Sequence, residues 1–363
     1  MARNLELEDQ IGQSGDAATY LVYADWLIER EDPRGELIAL EVALEQDPRN
    51  VPLAAARDAL LERHSLEWLG ELAGRPGVRW TWKRGFVDAA TIVTTTGTTH
   101  AAMYEAIRGL PTASLLRELT FGFIDSDQPE IEERRTRSWQ SATDALARHG
   151  MARSLRRLVY DDGRERAAEL GTLAGLYPQA TSLESFEITT KTWARRCALG
   201  SMDLGAIVLP ALRELKVRSS AFRLENLESL TAALWPRLER LTLRFSGLDC
   251  EPRDLISLID ALPPTLRHLS INPGYGVSDP VLFHELVLAL ARSRLVRQLA
   301  TLDLSYSCFS DDDAAIILEN PDPFRHLEVL DLSETNLNLG TVRRLRAEVD
   351  RVVARWGGVI ERP

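Results

Sequence analysis

The chain has 363 residues, 45% hydrophobic and 27% charged, with 43 Lys and Arg against 54 Asp and Glu for a formal charge of −11. This is the composition of a soluble folded protein, which excludes intrinsic disorder, and the apolar runs are too short to span a bilayer. The net charge argues against a general nucleic-acid binder, because phosphate binding calls for concentrated positive charge.

The imbalance is local. Residues 1–75 carry 7 Arg against 16 acidic side chains, a net −9, while the other 288 residues hold 36 basic and 38 acidic ones. Two regions with different roles are expected. The N-terminus, MARNLELEDQIGQSGD, lacks a basic start followed by an apolar core, so no secretory signal is expected. Cys197, Cys250 and Cys308 are few and far apart, which makes a poor disulfide framework and offers no C-x-x-C zinc pair. A reducing cytoplasm is the expected setting.

Taken in chain order, residues 17–31 place Leu21, Ala24, Leu27 and Ile28 at helical spacing, with Asp16 as the expected N-cap. A break at Asp32-Pro33-Arg34-Gly35 leads into a second helix through Leu37, Leu40, Val42 and Leu44, and a third follows from about Pro52 to Leu61. The string Tyr23-Ala24-Asp25-Trp26-Leu27, with Glu29 and then Asp32-Pro33-Arg34-Gly35-Glu36-Leu37-Ile38, resembles the bacterial repeat-companion domain. That resemblance covers about residues 10–50. It implies an accessory helical module, here residues 1–75, preceding a repeat array and bringing no catalytic activity. Trp26 is expected to pack between helices and Asp25 to cap or pair locally. Residues 78–93 read as strands, and Trp80-x-Trp82-x-Arg84-Gly85-Phe86-Val87 resembles the segment that follows the companion module. Residues 76–115 are therefore expected to form a strand-bearing cap.

From residue 116 the pattern L-x-x-[LF]-x-[LIVFY] recurs with starts at Leu116, Leu155, Leu183, Leu212, Leu238, Leu266, Leu299 and Leu327. The spacings are 39, 28, 29, 26, 28, 33 and 28 residues, a regularity that scattered leucines would not produce. Each motif predicts a short strand with alternate side chains inward, then a turn and a helix. One such unit cannot bury its own apolar face, so the units must stack. Helical stretches at 224–234, 254–262, 280–291 and 312–318 fit the outer layer. Ser246, Ser307 and Thr335 occupy the position where leucine-rich repeats carry Asn. The period resembles the ribonuclease-inhibitor-like class. This implies an α/β leucine-rich repeat solenoid, a horseshoe with parallel strands on its concave face, over residues 116–339, and a capping helix in 340–363.

No phosphate loop, H-E-x-x-H pair or nucleophile elbow is present, and the six His are scattered. The run Asp311-Asp312-Asp313 is expected to start a helix, where carboxylates meet the positive end of the dipole. The chain reads as a non-enzyme with no cofactor and no metal. The third, fifth and seventh residues of each motif should share one face, and there the basic side chains gather. Arg157, Lys216, Arg218, Arg240, Arg244 and His268 are the candidate partner-binding residues. A face of local sign contrast suits a protein partner. The expected function is a non-catalytic protein–protein interaction scaffold. The alternative is a regulatory component or protease substrate in a bacterial signalling or defence system, cleaved in the polar insert 125–138.

Overall fold

In the computed structural model, residues 1–94, 97–123, 138–162, 169–190, 202–219, 222–245, 250–273 and 280–355 are described. Most of the insert 125–138, together with Cys197, Ser246, Leu248 and Trp356, lies outside them. The chain divides into two compact units, Met1–Val159 and Tyr160–Pro363.

The first unit begins with short capped helices. Asn4 accepts from the Leu7 amide at the start of α1 (Leu5–Ser14), and Gly15, at φ 63°, ends it in the left-handed conformation that glycine adopts without strain. Asp16 caps α2 (Ala17–Ile28) through the Thr19 amide at 2.8 Å, as its sequence position predicts. The buried face of α2 differs from the predicted stripe. Tyr20, Tyr23, Ala24 and Leu27 are buried, whereas Leu21 and Ile28 are exposed. The helix is apolar nearly all round, so its periodicity does not select a face; packing against α3 (Arg34–Gln46) and Phe86 does.

The Asp-Pro-Arg-Gly break has a specific construction. Arg34, fully buried, donates from Nε to Asp32 Oδ1 at 3.1 Å and from Nη2 to Oδ2 at 2.9 Å. The Ala2 amide donates to the same carboxylate at 3.0 Å. Gly35 lets α2 and α3 approach closely, since a Cβ there would sit 2.6 Å from the Ala24 carbonyl oxygen. α4 (Val51–Leu69) then brings Trp68 against Leu37 and Leu60.

Strands β1 (Val78–Lys83) and β2 (Phe86–Thr94) form an antiparallel hairpin. Its turn residues Arg84 (φ 49°) and Gly85 (φ 73°) both have positive φ, as a two-residue hairpin turn of matching twist requires. The Gly85 amide donates to Glu41 Oε2 at 2.7 Å, and Arg84 pairs with Glu45 at 2.6 Å, which ties the hairpin to α3. β2 runs parallel to β3 (Glu118–Phe123), and α5 (Gly97–Arg108) and the helix Gln140–His149 pack side by side. His100 is buried with Nε2 2.7 Å from the Gly122 carbonyl oxygen, and burial lowers its pKa to about 4.

Strand β4 (Arg157–Asp161) contains the division between the units. In the second unit, β5 (Gly171–Thr172) pairs with β7 (Met202–Asp203) in a small parallel sheet. The main sheet has the parallel order β6 (Ser185–Thr189), β8 (Glu214–Ser219), β9 (Arg240–Phe245), β10 (His268–Asn272), β11 (Thr301–Asp303), β12 (Val329–Asp331), β13 (Val352–Val353). All eight repeated motifs begin their strand at the third residue, from Glu118 after Leu116 to Val329 after Leu327. Helices Leu224–Thr231, Pro252–Ala261, Pro280–Arg292, Asp311–Glu319 and Leu339–Glu348 follow successive strands and pack each against the next. The first ends three residues before the predicted 234, and the second starts at Pro252, where a proline's missing N–H costs nothing. Leu215, Leu241, Leu269, Leu302 and Leu330 lie in register and are all buried. Burying each such side chain contributes about 1.5–3 kcal/mol.

The turns repeat in chemistry as well as in length. Ser307 Oγ donates to the Leu304 carbonyl at 2.6 Å and Thr335 Oγ1 to that of Leu332 at 2.7 Å, so both hydroxyls bond neighbouring backbone. Tyr306 and Glu334, at equivalent places, both have φ 56°. Ser310 and Asp313 form a capping box for Asp311–Glu319, which gives the acidic run its place at a helix start. No helix among the described residues is long and apolar enough to cross a membrane.

Candidate functional site

Because the parallel strands of the second unit share one register, the intervening side chains of each strand line up in rows across the sheet. One row runs Ser185, Glu214, Arg240, His268, Thr301, Val329, and the next runs Glu187, Lys216, Thr242, Ser270, Asp303, Asp331. A third holds Thr189, Arg218, Arg244 and Asn272. Neighbouring strands lie about 4.8 Å apart, so side chains in a row are within reach of one another. Five of the six candidate residues share this face. Arg157, in the first unit, pairs with Glu118 at 2.5 Å.

The basic side chains are not equivalent. Lys216 Nζ is engaged by Glu187 Oε1, which also accepts from Thr189 Oγ1 at 3.2 Å. Arg244 is buried and spans three strands. Its Nη2 donates to Asp303 Oδ2 at 2.8 Å, to Ser305 Oγ at 3.0 Å and to Ser270 Oγ at 3.3 Å, and its guanidinium lies 5.6 Å from the Tyr306 ring centre. Ser270 Oγ donates to Asp303 Oδ2 at 2.8 Å, and the Ser305 amide to Oδ1 at 2.9 Å. Burial works against the Asp303 charge, but the Ser305 bonds, Arg244 and Ser270 outweigh it and hold the carboxyl below its ordinary range. Arg244 is therefore bound into a closed network.

Arg218 and Arg240 differ from both. Neither has a carboxylate partner among the described residues; Arg240 is exposed at the start of β9, and Arg218 Nε is buried without an acceptor. His268 Nδ1 lies 2.9 Å from Thr301 Oγ1, and burial together with the charge of Arg240 lowers its pKa. His284, on the helix Pro280–Arg292, instead meets Asp313 at 2.8 Å. Among the described residues no three His, Cys, Asp or Glu side chains form a group able to hold a metal.

In the helical module, Trp26 stacks on Tyr23 with ring centres 5.8 Å apart, and the Arg30 guanidinium lies 4.0 Å above it. The Arg244 network is what sequence reasoning missed. Its signal is present, since Asp303-x-Ser305 recurs as Asp331-x-Ser333, and in both the serine amide donates to the aspartate at 2.9 Å. The partner that such an aspartate takes from two strands away is not visible in the pattern.

No family model matches the chain, and no curated protein sequence does. Among solved structures it is similar to the crystal structure of a Bacteroides fragilis protein determined as a structural genomics target, with TM-score 0.55 and 15% identity over 83% of this chain and 82% of that one. At that identity the likeness is one of fold, a mixed α/β arrangement with a mostly parallel sheet.

Proposed function

We propose that the chain is a leucine-rich repeat solenoid of the ribonuclease-inhibitor-like class carrying a repeat-companion module in residues 1–75. It acts without catalysis, as an interaction scaffold whose polar strand face contacts a protein partner. The observation that carries this reading is the register: six parallel strands present their non-core residues in phase, which makes a broad polar surface held on a rigid sheet. Sites on strands are positioned more firmly than sites on loops. Within that face Arg218 and Arg240 are the contact residues, because Lys216 and Arg244 already spend their charge on Glu187 and Asp303.

The test is affinity capture from the native host with wild-type protein and with an Arg218→Glu/Arg240→Glu variant whose thermal midpoint matches wild type. A protein enriched by the wild type and lost from the variant supports the reading. Capture of the same proteins by both refutes the assignment of this face.

A further inference from the structure

We propose that the second unit carries a docking groove, separate from the polar strand face, for a segment of a partner protein that joins Lys or Arg to aliphatic side chains. The groove follows from the repeat lengths. The stretch from Leu212 to Leu238 is the shortest repeat, 26 residues, and its helix Leu224–Thr231 has eight residues where the next two have ten and thirteen. A shorter helix covers less of the layer beside it. Four residues before the motif leucine, the two following repeats place Leu262 and Leu295, both buried. At the same position Val208 and Leu234 are 47% and 62% exposed.

These two side chains adjoin. Val208 and Leu234 pair in a parallel bridge, in which the Leu209 amide donates to the Leu234 carbonyl at 3.0 Å and the Leu234 amide to the Ile207 carbonyl at 2.9 Å. Paired residues on neighbouring strands point to the same side, about 4.8 Å apart. They border an open groove of about 450 Å³ between residues 205–208 and the helix face bearing Glu225, Glu228 and Ala232. The strand-like wall is also pinned at its other end, where the Leu204 amide donates to Asn226 Oδ1 at 3.0 Å and Asn226 Nδ2 to the Met202 carbonyl at 2.9 Å. The groove is therefore held at both ends, acidic beside Glu225 and apolar beside Leu234.

Charge selects the occupant. Neither Glu225 nor Glu228 has a basic partner among the described residues, and no basic side chain lines the groove. An acidic segment is repelled there and a basic one attracted. An aliphatic side chain covering Val208 and Leu234 removes apolar surface that this chain leaves in water. From Glu225 to Ala232 the helix rises about 10 Å, the length of three to four extended residues. Cation and aliphatic anchor must then lie within about four residues of each other.

Fluorescence anisotropy of the full chain with the labelled peptides GKRALLG and, in the reverse direction, GLLARKG tests the groove. At least one should bind saturably, with GEEALLG not binding and GKRASSG at least about tenfold weaker. Glu225→Gln/Glu228→Gln should weaken binding about fivefold, whereas Glu62→Gln/Glu71→Gln, which removes the same charge from α4 and the turn after it, should not. Leu234→Asp is the decisive variant, because it adds a negative charge. Association driven by net charge alone would tighten, while docking in the groove should weaken at least about tenfold. The Ala206 and Ala232 amide resonances of the wild type should shift on titration and report the groove even where a variant fails to fold. No saturable binding by either peptide, equal binding of GEEALLG, a folded Leu234→Asp protein that binds as well as wild type, or unmoved Ala206 and Ala232 resonances would each overturn the proposal. So would a concentration-dependent dimer in sedimentation that Leu234→Asp dissolves, which would give the groove to a second copy of the chain.

Discussion

Removing the Arg244 guanidinium should unfold part of the sheet's stability rather than expose a binding surface. In Arg244→Ala, Asp303 loses a charge-assisted bond of 2.8 Å, and Ser305 and Ser270 lose a shared donor. Breaking a fully buried pair costs about 3–5 kcal/mol because the remaining charge is stranded. Here the Arg244 side chain is 9% exposed and that of Asp303 30%, so water re-solvates part of the carboxylate and the cost falls to about 2–3 kcal/mol. For a unit the size of Tyr160–Pro363 that corresponds to a midpoint lowered by roughly 5–10 °C. The assay is calorimetric unfolding of Arg244→Ala, Asp303→Ala and the double variant, with a coupling of about 1–2 kcal/mol expected for residues in direct contact. The acid limb adds a second signature. Because the native carboxyl of Asp303 titrates below its unfolded value, its contribution is complete above the ordinary carboxylate range and is lost as pH falls through the native pKa. Arg244→Ala should flatten that loss. A coupling near zero, with Arg244→Ala as stable as wild type, would refute the reasoning and return Arg244 to the set of free contact residues.

Three further outcomes follow from the first unit. Asp32→Ala strands the fully buried Arg34 and removes the acceptor of the Ala2 amide, so denaturant unfolding should report a loss of about 3–5 kcal/mol. Gly85→Ala places a Cβ 2.4 Å from Ile38 Cγ1 at φ 73°. Urea melts should show a destabilisation of about 2–4 kcal/mol, whereas Gly12→Ala, with open space around it, should show none. His100, lowered to about 4 by burial, binds fewer protons in the native than in the unfolded state between that value and its ordinary range near 6.5. Its contribution of up to about 3 kcal/mol is present above that range and lost as pH falls through it, and His100→Gln should remove this slope in unfolding free energies measured from pH 7.5 to 4.5.

The interplay of charge and position bears on how the polar face should be read. A formal count along the strands gives a basic patch, but Glu187 neutralises Lys216 from the adjacent strand and Asp303 neutralises Arg244 from two strands away. What is left is a set of ion pairs beside Arg218 and Arg240, which have no carboxylate partner among the described residues.

The repeat itself was legible in the primary structure. Eight motifs mark eight strands to the residue, because a period-two strand with one buried side permits only one phase for its leucines. Asp16, the acidic run Asp311-Asp312-Asp313, Ser307 and Thr335 were legible for a related reason, since caps and turn bonds join residues two to four apart. The burial of Tyr20 and Tyr23 in place of Leu21 and Ile28 was not, because a helix apolar on every side takes its orientation from its neighbours. Nor was the state of each arginine. Arg218 and Arg244 sit at the same motif position and Arg240 on the same face, yet of the three only Arg244 meets an aspartate among the described residues, 59 residues away in the chain, at a distance set by the stacking of strands. Local pattern fixes which way a side chain points; which group it meets there is a property of the assembled sheet.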